Sequence, residues 1–184
     1  MKKIQKYFLA IVPPEPIFSK SEEIKKEIKQ KFNLKYALKS PSHITLKMPF
    51  SFNEAKEDYL SLRVSKFLED QKNFTVKISG IGSFSRRVIF QQVITNQSLT
   101  SFQLDIKNFC KRELHLVEEL SDRNYHPHLT LAFKDLTPLK FEGVINLCNE
   151  LQFEAEFVVD RLYLVKRTEG QWLIHKSITF GNKA

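Results

Sequence analysis

Two copies of one tetrapeptide, His43-Ile44-Thr45-Leu46 and His128-Leu129-Thr130-Leu131, decide how this chain is read. Each opens a run that alternates between two faces. In the first, His43, Thr45 and Lys47 oppose Ile44, Leu46, Met48 and Phe50; in the second, His128, Thr130 and Ala132 oppose Leu129, Leu131 and Phe133. A period of two marks a β-strand with one face in the core. The imidazole and the hydroxyl two residues later therefore project together from the other face, about 6.5 to 7 Å apart along the backbone.

Outward from these strands the same order of elements occurs twice. An apolar run from Tyr7 to Val12, stopped by Pro13-Pro14, reads as a first strand. It is too short for a secretory signal, despite Lys2 and Lys3 before it, and no small-residue cleavage site follows. Ile17, Ile24, Ile28 and Phe32 then repeat at helical spacing within Glu15–Phe32. Pro41 breaks any helix in Lys39-Ser40-Pro41-Ser42, and the first His-x-Thr strand begins directly after. Asn53 is a candidate N-cap for a helix that buries Leu60, Val64, Phe67 and Leu68. Phe74–Ile81 and Arg87–Ile94 read as a hairpin joined by Gly82-Ser83-Phe84-Ser85-Arg86. A helix through Leu99, Phe102, Ile106, Phe109 and Cys110 precedes the second His-x-Thr strand, and another from Pro138 to Glu150 follows it, with Thr137 as N-cap. Strand-like runs Phe153–Val159, Arg161–Lys166 and Trp172–Phe180 close the chain, the last two joined at Glu169-Gly170. Strand, helix, His-x-Thr strand, helix occurs twice, the mark of an internal duplication.

The 184 residues suit one domain with a proper core, and 42% apolar against 27% charged residues is a globular composition. A formal charge of +8 favours a polyanionic partner without naming one. Cys110 and Cys148 lack paired spacing and read as buried free thiols of a reducing compartment. No stretch is long enough to span a membrane, so the expectation is a cytoplasmic protein.

If the halves pack about a pseudo-twofold axis, one groove receives a histidine and a hydroxyl from each side. That places a general acid opposite a general base, and an imidazole serves in either role near neutral pH. Each threonine can donate to a non-bridging phosphate oxygen, where charge builds in the transition state. Neither role asks for a metal. His126 and His128 flank Pro127, but zinc needs a third protein ligand and none stands at usable spacing, so no metal and no cofactor are expected.

The paired motifs resemble the signature of the two-histidine (2H) phosphoesterases, the superfamily of 2′-5′ RNA ligases and RNA 2′,3′-cyclic phosphodiesterases. The opening Tyr7-Phe8-Leu9-Ala10-Ile11-Val12-Pro13-Pro14-Glu15, the stretch from Gly82 through Asn96 to Leu99 and the tail from Phe153 to Phe180 are similar too. The resemblance implies an α+β fold: one domain over residues 1–184, two-lobed and pseudo-symmetric, with mainly antiparallel sheets and flanking helices around a central cleft. It makes His43 and His128 the catalytic pair and Thr45 and Thr130 the phosphate-binding pair. The expected activity opens 2′,3′-cyclic phosphate ends of RNA or nucleotides to a monoester. Two alternatives stay open, a 2′-5′ RNA ligase and a non-catalytic RNA- or nucleotide-binding module.

Further candidates for substrate contact are Lys47 on the face of Thr45, His126 beside the second motif, and Phe84, Arg86 and Arg87 at the hairpin tip. An aromatic ring can stack on a base and a guanidinium can grip a phosphate, although the same tip also fits an ordinary exposed turn. His175, alternating with Ser177 and Thr179, either lines the groove or is a satisfied strand-face histidine. His115 is expected at the surface. Because the duplicated halves would already close one site, the chain is expected to act as a monomer.

Overall fold

A computed structural model describes residues 3–181. Its strands are β1 (Ile4–Ile11), β2 (Ile44–Asn53), β3 (Phe74–Phe84), β4 (Val88–Ile94), β5 (His128–Ala132), β6 (Ala155–Val159), β7 (Arg161–Thr168) and β8 (Gln171–Thr179). The helices are α1 (Ile17–Phe32), α2 (Glu57–Leu68), α3 (Gln97–Glu113), the short α4 (Leu120–Arg123) and α5 (Pro138–Leu151). All the strands join one antiparallel, curled sheet in the order β6-β3-β4-β5-β2-β1-β7-β8. The expected duplication is visible in that order. β5 and β2 lie side by side at the centre, each flanked by the strand that precedes it across a helix, β4 and β1.

The two halves meet through the backbone pair Ile44–Leu129, which joins their antiparallel strands into one continuous sheet. Alternation puts Tyr7, Leu9, Ile11, Ile44, Leu46 and Leu129 on the helix-covered face, in the larger core with Leu60 and Val64 of α2 and Leu99, Phe102 and Ile106 of α3. Leu131 stands on the same face of β5 and joins the second core, with Ile24 and Ile28 of α1 and Phe141, Val144 and Leu147 of α5. Helix α1, which follows β1 in sequence, thus packs beneath β5, while α3, which follows β4, packs beneath β2. Each half covers the other's central strand.

Local chemistry sets the ends of these elements. The Asn53 side chain accepts from the Ala55 N–H at 3.1 Å, starting a 3-10 turn that runs into α2. Asn96 does the same for α3, accepting from Leu99 N–H at 2.8 Å, and Pro138 occupies the first turn of α5. Strand β3 continues to Phe84, so the hairpin turn is Ser85-Arg86-Arg87, tighter than the alternation suggested, and Ser85 has a positive φ of 51°. A 3-10 turn at Tyr36–Lys39 and helix α4 carry no apolar period and were not legible in the sequence. Cys110 and Cys148 lie in separate cores, and burial pushes both thiols up to about 12.

Lys47 departs from the simple alternation. On β1, Ala10 faces Thr45 and Leu9 faces Lys47, so β2 advances two residues where its partner advances one. This bulge turns Lys47 onto the core face, where it is 2% exposed. A buried ammonium costs several kcal/mol unless it is paired and hydrogen-bonded. Asp122 of α4 supplies the pair and the Val117 carbonyl accepts a second bond at 2.9 Å. Asp122 also accepts from the N–H groups of Met48 and Glu119, both at 2.9 Å, tying α4 to β2. The face assignment of Lys47 with Thr45 is therefore corrected.

Candidate active site

On the face opposite the cores, His43, Thr45, His128 and Thr130 line one cleft of about 640 Å³. The antiparallel pair Ile44–Leu129 sets their arrangement. Continuing that register by one residue each way puts His43 opposite Thr130 and Thr45 opposite His128. The imidazoles and hydroxyls thus alternate crosswise about the point where the halves join. Neither threonine hydroxyl is engaged by another side chain among the described residues, which leaves both for a ligand.

The two histidines share a device that no tetrapeptide signal reveals. His43 Nδ1 lies 2.6 Å from the Pro41 carbonyl, and His128 Nδ1 lies 2.6 Å from the His126 carbonyl. A carbonyl oxygen only accepts, so each Nδ1 carries the proton and each Nε2 keeps its lone pair. Both rings are fixed in the tautomer that presents Nε2 for proton transfer.

What stands behind each latch differs. The loop carrying Pro41 is gripped by Lys25 of α1, a side chain 1% exposed whose ammonium donates to the carbonyls of Ser40 (2.9 Å) and Ala37 (3.3 Å). Glu22, 2.6 Å from Lys25, accepts from both the N–H and the hydroxyl of Ser42 at 2.7 Å. On the other side His126 lines the cleft, exposed, and Pro127 stiffens the link to His128.

Burial lowers the His43 pKa to about 4, with the Lys25 and His128 charges adding to the fall and the Pro41 carbonyl and Glu22 opposing it. Burial also lowers the pKa of His128; the His126 charge adds to this and the His126 carbonyl opposes it. Aromatic rings shield both imidazoles. Phe8 sits 4.6 Å from the His43 ring, while Phe84 and Phe90 each sit 5.0 Å from that of His128. Apolar neighbours of this kind make the neutral form the resting one.

Of the substrate-contact candidates, Phe84 and His126 line the cleft and pack edge to face at 5.0 Å. Lys47 does not, being in the core. Arg86 is held over α5, 2.7 Å from Glu142, with its guanidinium 4.8 Å from the Phe141 ring centre. Arg87 is exposed in the turn and is absent from the cleft lining. None of these three lines the cleft. His175 lies 2.7 Å from Glu57 and away from the cleft, and His115 is exposed just after α3.

The sequence reading missed a second set of cleft residues. Lys6, Lys39, Lys134 and Arg167 line it with Phe8, Tyr36, Phe133 and Trp172. Lys134 donates to the Tyr36 hydroxyl at 2.8 Å, a bond that lowers the phenol pKa. A positive lining with aromatic surfaces suits an anion that carries a ring. Among the described residues, no group of three or more His, Cys, Asp or Glu is placed to hold a metal ion, and no helix is long and apolar enough to cross a membrane.

The model of the 2′-5′ RNA ligase superfamily matches residues 13–171. A Bacillus mycoides protein that bears the name "Putative phosphoesterase" is 26% identical over 180 residues, covering 95% of this chain and 96% of that one. Among solved structures, Escherichia coli LigT complexed with 3′-AMP superposes with a TM-score of 0.64 at 20% identity, covering 97% of this chain and 99% of that one. The Thermus thermophilus protein TT0787 also gives 0.64, at 16% identity and with 97% and 100% covered.

Proposed function

We propose, from the premise that this chain belongs to the 2′-5′ RNA ligase superfamily, that it is a phosphoesterase which opens a 2′,3′-cyclic phosphate on RNA or a nucleotide to the monoester. The observation that carries the reading is the crosswise set of two histidines and two threonines, with both Nδ1 positions latched to carbonyls and both Nε2 positions left for chemistry. Nucleotide ligands are consistent with Escherichia coli LigT, which shares the fold and has been solved in complex with 3′-AMP, NADP+ and ATP.

In this scheme the phosphate sits between Thr45 and Thr130, whose hydroxyls donate to its non-bridging oxygens. His43 is the base. Its neighbours keep it neutral down to about pH 4, so its Nε2 is free to take a proton from the attacking water. The hydroxide oxygen bonds to phosphorus while the bond to one ribose oxygen breaks, and His128 delivers its proton to that oxygen. His128 is the natural acid because a bound phosphate anion raises the proton affinity of the less shielded imidazole. A proton returned from His43 to His128 through solvent completes the cycle. With a ribose hydroxyl in place of water, the same transfers form a phosphodiester, which is the ligase reading.

The test is incubation with 2′,3′-cyclic nucleotides and cyclic-phosphate-ended RNA in EDTA, followed by phosphorus NMR. A single monoester signal is expected, and it should form roughly 10² to 10⁴ times more slowly in His128→Ala. Tight nucleotide binding with no turnover of any cyclic phosphate would replace this reading with that of a binding module.

A further inference from the structure

On the function proposed above, the base His43 depends on the Pro41 carbonyl, and Lys25 grips the loop that carries it from within the His43 half. A second grip on the same loop comes from the other half. The 3-10 turn Tyr36–Lys39 leads into Ser40-Pro41, and its N-cap residue, Lys35, offers no side-chain hydrogen bond to the N–H groups that open it. Asp135, 100 residues after Lys35 and just beyond β5, supplies the missing acceptor. Its Oδ2 accepts from the Lys35 N–H at 2.7 Å and from the Tyr36 N–H at 2.8 Å.

The exit from β5 brings this carboxylate to the turn. Lys134 takes a positive φ of 57° and the Asp135 N–H donates back to the Phe133 carbonyl at 2.6 Å, which makes a tight bend. Phe133 packs edge-on against the Tyr36 ring at 5.0 Å, while the Lys134 ammonium lies 4.6 Å from the same ring centre and donates to its hydroxyl at 2.8 Å. Three consecutive residues beyond the second His-x-Thr motif thus hold one turn ahead of the first. The opposite tie exists too. Lys47 and the Met48 N–H, just past Thr45, bind Asp122 of α4, and α4 leads through Asn124 and Tyr125 to the His126 carbonyl that latches His128. Each His-x-Thr strand, once past its threonine, grips the segment that latches the other strand's histidine.

We propose that Asp135 is a positioning residue for His43: by holding the start of the Tyr36–Lys39 turn it fixes the Pro41 carbonyl, and through that carbonyl the tautomer and orientation of the imidazole. The half that carries the acid thereby sets the base. Charge-assisted hydrogen bonds to two backbone N–H groups suit this task, because they fix direction as well as distance. Without them the loop is tethered through Lys25 alone, and the Pro41 carbonyl is free to swing from Nδ1.

Nitrogen NMR of the intact protein with isotope-labelled histidine separates a protonated ring nitrogen from one with a free lone pair, and it needs no substrate. At neutral pH, well above the His43 value of about 4, the native protein should show His43 with its proton on Nδ1, the resonance being assigned by its loss in His43→Ala. Asp135→Ala should convert this to a mixture of both tautomers and leave His128 as it is. Asp135→Asn, whose amide oxygen still accepts from both N–H groups, should keep the native form. On a cyclic nucleotide, Asp135→Ala should lower kcat by up to about 100-fold with KM little changed, since Thr45 and Thr130 are untouched. The acid limb of its kcat/KM profile should move to lower pH, because the Pro41 carbonyl raises the His43 pKa and its loss lets that value fall further. A residue that only stabilised the fold would lower the melting temperature and leave both tautomer and limb in place. A native His43 tautomer in Asp135→Ala, or an equal change at His128, would overturn the proposal. A tautomer that responds to Asp135 in a protein without turnover would reject the phosphoesterase reading and leave the positioning role standing.

Discussion

The two His-x-Thr strands share a sequence pattern, a carbonyl latch and a place at the centre of one sheet, yet their surroundings differ. Behind His43 stands a buried ammonium, Lys25, which grips the loop through two carbonyls. Behind His128 stand an exposed histidine and the aromatic corner of Phe84 and Phe90. A buried cation opposes a second positive charge nearby, and no such cation stands behind His128, whose pKa is lowered by burial and the His126 charge alone. Duplication thus provides two equivalent imidazoles, and on the proposed mechanism the difference in backing is what assigns one as base and the other as acid.

Replacing the imidazoles breaks the comparison outright. His43→Ala and His128→Ala should each lower kcat by roughly 10² to 10⁴, and the double variant should be little slower than the worse single one, because the pair acts as a unit. Steady-state rates on a cyclic nucleotide check this, and additive losses would mean that the two rings work independently.

Asp122→Ala tests a support that only the His43 strand has. It leaves Lys47 charged and unpaired in the core, and denaturant melts should show a loss of about 3–5 kcal/mol. A loss typical of a surface change, below about 0.5 kcal/mol, would mean that the bulge does not need its counter-ion.

Changes at the threonines should be smaller in rate than those at the histidines. Thr45→Val and Thr130→Val each remove one donor to the phosphate, and kcat should fall by about 10² or less. The crosswise register makes the two losses similar, so a large inequality would show that one hydroxyl alone carries the developing charge.

Lys25→Met sharpens the contrast at the lowest cost in rate, on the order of tenfold, as for other groups that orient a catalytic side chain. Without the Lys25 charge the imidazolium of His43 is less disfavoured, so its pKa rises and the acid limb of the kcat/KM profile moves to higher pH. The alkaline limb, which belongs to His128, should stay where it is.

The tetrapeptides made the central strands and the four groups of the candidate site legible, because period-two alternation and the side-chain chemistry are both local. Helices α1, α3 and α5 were legible for the same reason, each carrying its own apolar period. What stayed hidden depends on partners distant in sequence. Lys47 obeys the alternation in the sequence, but the bulge that turns it inward is set by its pairing with Leu9 and by Asp122. Arg86 looks free at a hairpin tip until α5 brings Glu142 beneath it. Trp172 and Arg167 flank a turn that the sequence did show, but only the curl of the sheet brings that hairpin to the cleft. The exchange of α1 and α3 between the halves leaves no mark in either helix alone.

The most direct test of the two-histidine account is the pH dependence of kcat/KM for a cyclic nucleotide, measured in EDTA for the native protein and for each single histidine variant. The base must be neutral, so the rate should rise with pH through the low His43 value near 4. The acid must be protonated, so the rate should fall again as pH passes the His128 value, which lies below the ordinary 6.5. The native profile should therefore be a bell centred on the acid side of neutrality, with His43→Ala losing the rising limb and His128→Ala the falling one. A profile with one limb only, or full activity in His43→Ala, would contradict the account.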